Sequence, residues 1–158
     1  MEISNLLGLP AHPLIVHAVV VLVPLVAIGA AGIVLWRGLR ERIGWLVVTG
    51  ATLTAVLVPL ATASGESLEE SVGETTLVER HAELGEQLLP WVIGLALVTM
   101  AFMLVARGGR TNRSLVILIS VATLLIASGA VVDVALIGHS GAQATWGQMA
   151  GTTSLPSG

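Results

Sequence analysis

The chain has 158 residues, 54% of them hydrophobic and only 11% charged, with a mean hydropathy of +0.92. A soluble domain carries about a quarter charged residues, so composition places this chain in the bilayer class, and its length allows one domain. It has no Cys, which excludes disulfides, thiolate metal sites, covalent c-type haem attachment and cysteine nucleophiles; it also lacks Lys and Tyr, and its net charge of −3 does not suggest nucleic-acid binding.

Apolar runs cover residues 14–36, 43–63, 88–106 and 115–137, with no Lys, Arg or Glu inside them. Each is close to the roughly 20 residues that cross about 30 Å of hydrocarbon. The first is too long for a signal-peptide core and follows Glu2 rather than a basic segment, so it reads as a retained span. Pro13 suits the first turn of a helix, while Pro24 and Pro59 fall inside spans and should kink them. The first connection holds Arg37, Arg40 and Arg42, and the third holds Arg107, Arg110 and Arg113. By the positive-inside rule these loops are cytoplasmic. Both termini then lie outside, together with a 64–87 loop rich in Glu and a tail over 138–158. The expected fold is an all-α integral membrane protein, an antiparallel four-helix transmembrane bundle of one domain, N-out and C-out, in a bacterial cytoplasmic membrane. No internal sequence repeat is evident.

Small residues recur in the spans at Gly29-Ala30-Ala31-Gly32, Gly50-Ala51, Gly94 and Ala127-Ser128-Gly129-Ala130. They permit close helix packing or leave room for a flat ligand. In the outer loop, Ser67 with Glu70 and Thr76 with Glu79 have capping-box spacing. A helix from Thr76 puts Leu77, His81, Leu84 and Leu88 on one face, and Pro90 would bend it. The tail 141–151 can form an interfacial helix anchored by Trp146, and 152–158 reads as a flexible end.

All four histidines fall on the outer side: His12 and His17 at the start of span 1, His81 before span 3, and His139 at the end of span 4. Imidazole ligates haem iron, zinc or copper, and carries protons near neutral pH. A b-type haem needs two imidazoles from different helices. His17 and His81 are the first choice, with His12 and His139 as alternates and Arg80 as a propionate partner. A zinc or copper site needs three or four ligands, which His12, His17, His81 and His139 can supply, with or without Glu83. The third reading is structural: hydrogen-bonded histidines in a non-catalytic subunit of a larger membrane complex. His12 and His17 lie about 140° apart on a regular helix, so both face one site only if His12 sits outside it. Asp133 is the acidic residue within a span. An intramembrane carboxylate is a functional candidate, here as a partner orienting a ligating His or a bond to Thr62 or Ser64. No phosphate-binding glycine loop, Gly-x-Ser-x-Gly or His-Glu-x-x-His occurs, so at most a redox role in electron transfer is expected, with the lipid bilayer and a membrane redox partner or larger complex around it.

Leu9-Pro10-Ala11-His12-Pro13-Leu14-Ile15-Val16-His17 and Gly138-His139-Ser140-Gly141 together resemble a bacterial membrane-protein family, domain of unknown function 2231. The resemblance spans essentially the whole chain. It implies four spans, with a histidine before the third (here His81), and points to His12, His17, His81 and His139 as the site. It brings no established reaction and does not separate haem from metal.

Overall fold

The computed structural model describes residues 5–6, 9–72, 75–108 and 112–151, with side chains described at 12–67, 75–108 and 112–144. A short antiparallel ladder, β1 (Asn5–Leu6) on β2 (Leu9–Pro10), precedes four helices. These are α1 (Ala11–Leu35), α2 (Arg37–Val72), α3 (Thr76–Arg107) and α4 (Arg113–Gly151). Each contains a window long and apolar enough to cross a membrane. The connections are too short for a return along the outside of the bundle, so successive helices are antiparallel. The helices form a ring in chain order: α1 packs on α2 and α4, α3 packs on α2 and α4, and α1 and α3 face each other across the diagonal. The all-α four-helix transmembrane bundle read from the sequence is the fold.

The helices outrun the apolar runs that announced them. The start of α3 at Thr76 is the one expected from the sequence, while the first part of the 64–87 stretch read as a loop is helical, α2 continuing to Val72. Residues 37–42 are likewise the first turns of α2, and residues 138–151 continue α4 without a break. Hydrophobicity measures how much helix lies in lipid. The backbone ladder, once begun, propagates through Glu- and Arg-rich sequence that favours helix. Thr75 caps α3, its side chain accepting the Val78 N–H at 3.3 Å. The cap is therefore one residue ahead of the Thr76 expected from spacing. Ser67 lies within α2 and caps nothing. The side chains of Glu70 and Trp146, and the end at 152–158, lie outside the described residues. Pro24, Pro59 and Pro90 stay inside continuous helices.

The core shows an order that the letters hide. A buried stripe in α1 runs Val19, Val23, Val26, Ala30, Ile33, with Ala27 beside it, and one in α3 runs Leu88, Val92, Leu95, Thr99, Phe102, with Met103 beside it. Leaving those neighbours aside, both follow spacings of four, three, four and three. In α2 the stripe runs Val47, Ala51, Thr54, Val58, Ala61, Ser64, with Val48 beside it, and in α4 Thr123, Ala127, Ala130, Val134, Ile137, Ser140, with Asp133 beside it. These two helices also share one spacing. The bundle is therefore two hairpins in the same register, α1–α2 and α3–α4, which the sequence comparison of the halves did not reveal. Spacing of this kind is the seam of left-handed helix packing. Buried hydroxyls are satisfied within their own helices: Thr54 donates to the Gly50 carbonyl at 2.8 Å, Thr99 to Leu95 at 2.6 Å and Thr123 to Ile119 at 2.7 Å. An unsatisfied hydroxyl in this setting would cost several kcal/mol.

The small residues serve packing. Gly29 lies against Val47, Gly32 against Leu39, Gly50 against Val26, Gly44 against Met103 and Gly129 against the Trp91 ring. No flat ligand is needed to explain them.

Candidate functional site

At the end of the bundle that carries the histidines, the helices part around a cavity of about 800 Å³. That is within the roughly 300–1,000 Å³ of small-molecule sites. Its walls are mainly apolar, with Val16, Val19, Val58, Leu88, Val134 and Ile137 from all four helices. His12, His17 and His81 border it, together with Thr62, Thr75, Glu66 and Glu86.

His12 stands in the first turn of α1 and reaches across to α2. Its Nδ1 lies 3.0 Å from the Ala61 carbonyl oxygen and 3.1 Å from Ser64 Oγ. A carbonyl can only accept, so Nδ1 carries the proton. The Ser64 hydroxyl spends its own proton on the Ala61 carbonyl at 2.8 Å, which leaves its oxygen as a second acceptor. His12 Nε2 therefore keeps its lone pair. His81 repeats this on the opposite hairpin. It reaches from α3 to α4, with Nδ1 3.0 Å from Ser140 Oγ. Ser140 donates to the Ile137 carbonyl at 2.9 Å, so its oxygen accepts from His81. His81 is half-buried and close enough to His12 for charge on one to be felt by the other.

The remaining sequence candidates separate. His17 borders the cavity from an exposed position, its Nδ1 bonded to the Pro13 carbonyl of its own helix. Both His12 and His17 thus reach one cavity from within α1, and His12 need not leave the helix. The cavity is broad: His12 borders it with its Nδ1 held on α2, while His17 stays at the rim. His139 is outside. It precedes the buried Ser140 by one residue, about 100° around the helix, and its Nε2 accepts from the Gln143 amide at 3.2 Å on the exposed face. The four histidines are therefore not one cluster. Among the described residues no group of three or more His, Cys, Asp or Glu side chains is placed to hold a metal ion. Arg80 borders a different surface pocket, with Thr76, Glu79 and Glu83. Asp133 is buried in α4 but does not border the cavity, and among the described residues its Oδ2 has no hydrogen-bond partner. The hydroxyls expected to meet it, Thr62 and Ser64, donate to the Pro59 and Ala61 carbonyls.

Sequence reasoning paired Ser64 with Asp133 rather than with His12, and did not single out Glu66 and Glu86 as site residues. A signal for the His12 pairing existed: Ser-Gly occurs at 64–65 and again at 140–141, on the two helices that receive the imidazoles.

A four-helix membrane bundle with paired imidazoles at one end is the class that fold and site define. The family described as predicted membrane protein, domain of unknown function 2231, matches residues 8–154, and the chain belongs to it. No curated protein and no solved structure matches the chain.

Proposed function

We propose that the cavity holds a b-type haem between His12 and His81, and that the protein passes electrons at the histidine end of the bundle. The observation that carries this reading is the pair itself. Two imidazoles on diagonally opposed helices each have Nδ1–H tied back to the protein and, among the described residues, no partner on Nε2, beside one apolar cavity. Metal-ligating histidines are held in this way, the second nitrogen fixing tautomer and ring orientation. Such a haem supplies one-electron chemistry. The chain's own part is to present two neutral donors, keep the cavity apolar, and hold both rings on rigid helices. His17 and Glu86 stand at the rim, where a proton can be exchanged with water. The axial pair becomes His12–His81 rather than His17–His81. The propionate role expected of Arg80 is not retained, because that side chain does not border the cavity. Two ligands serve a haem, whereas a zinc or copper site asks for three or four.

The arginine-bearing connections sit at the other end, where Arg40 lies over the Phe102 ring at 5.3 Å and Arg107 over Trp45 at 5.5 Å. The positive-inside rule assigns that end to the cytoplasm of a bacterial cell and the histidine end to the outside. Replacement tests the ligand assignment. His12→Ala and His81→Ala each abolish the low-spin haem spectrum, while His17→Ala, His139→Ala and Arg80→Ala keep it. Retention of an unchanged spectrum in His12→Ala or His81→Ala would overturn the pairing.

A further inference from the structure

The two hairpins share more than a packing register. In each, an imidazole near the start of the first helix lies on a Ser-Gly dipeptide of the second. A Cβ placed on Gly65 would lie 3.0 Å from His12 Cε1, and one on Gly141 would lie 3.0 Å from His81 Cε1. That is tighter than a packed side chain normally tolerates. Glycine at these two positions lets each ring settle against the helix. The neighbouring serine then meets Nδ1, at 3.1 Å in the first hairpin and 3.0 Å in the second. One turn back, a carbonyl anchors each serine, Ala61 for Ser64 and Ile137 for Ser140, and Ala61 also accepts from His12.

We propose that Ser64-Gly65 and Ser140-Gly141 are two equivalent imidazole seats, and that these four are positioning residues that fix His12 and His81 as Nδ1–H tautomers aimed into the cavity. The glycine sets how deep the ring lies, and the serine oxygen, itself anchored on the carbonyl one turn back, holds its nitrogen. The tautomer follows from the protein alone; the consequence for a bound haem rests on the reading above. A ligand whose Nδ1–H is donated more strongly is the better electron donor to a metal through Nε2. Weakening that donation makes a haem easier to reduce.

The test has two arms. In the first, haem-free protein labelled with ¹⁵N-histidine is examined by NMR in detergent above the histidine titration range. His12 and His81 should each be the Nδ1–H tautomer in the parent chain. Gly65→Ala and Gly141→Ala should each disturb the signal of their own histidine only. In the second, haem-loaded protein is titrated by redox potential. Ser64→Ala and Ser140→Ala should shift the midpoint to more positive values by similar amounts at unchanged haem content, and Ser→Thr at either position should restore it. Gly65→Ala and Gly141→Ala should lower haem affinity at least tenfold. An Nε2–H tautomer, or an even mixture, at His12 or His81 overturns the seats whether or not haem binds. So do glycine variants that leave both signals unmoved, or serine variants whose potential stays at the parent value. Seats intact by NMR in a chain that takes up no haem leave this inference standing and remove the haem reading instead.

Discussion

Asp133 is the charged side chain buried among the described residues, and its Oδ2 has no partner. A buried polar group left unsatisfied costs about 1–3 kcal/mol. Because Asp133 does not border the cavity, Asp133→Leu should raise the stability of the detergent-solubilised protein by about that much, read by thermal unfolding, with haem uptake unchanged. Lost haem uptake would restore the ligand-orienting role expected from sequence. At this scale the sequence was only partly informative. An intramembrane carboxylate and four histidines stand out by type, but type does not say which way a side chain turns. His139 and Ser140 differ by one residue and about 100°, and that difference puts the serine inside and the histidine outside. The hydroxyl that receives His12 is invisible until α1 and α2 are packed, 52 residues apart in sequence.

Elements were the most legible scale. Hydrophobic length located each span, and arginine placement separated the two ends of the bundle. The start of α3 at Thr76 and the helical tail to Gly151 were legible, whereas the end of α2 was not, because polar sequence from residue 64 to Val72 continues a ladder already formed. The glycines make the packing testable. Gly129 receives the Trp91 ring, and a Cβ there would lie 2.5 Å from Cη2 and 2.7 Å from Cε3. Gly129→Ala should therefore destabilise the bundle by about 1–3 kcal/mol through overpacking, although alanine is the better helix former. Gly38, near the start of α2, has nothing within 4 Å of the corresponding position. Gly38→Ala should be neutral or gain up to about 1 kcal/mol from helix propensity. Equal behaviour of the two variants in thermal unfolding would contradict close α3–α4 packing at Trp91.

For the whole molecule, the two hairpins share the spacing of a buried stripe while their sequences differ, because packing constrains size and polarity at buried positions and leaves the identities free. That equivalence puts His12 and His81 across the diagonal. Orientation is a separate matter, and the absence of cysteine makes it easy to read. A single cysteine replacing Thr76 should react with an impermeant maleimide added to intact cells, and one replacing Ser114 should react only after lysis; the reverse pattern would put the histidine end in the cytoplasm. The central claim is haem between His12 and His81. It is tested most directly by the absorption spectrum of the purified protein, expressed with ample haem and recorded oxidised and then dithionite-reduced. Sharp Soret and α bands that disappear in both His12→Ala and His81→Ala are the predicted result. A flat spectrum from folded protein would contradict it.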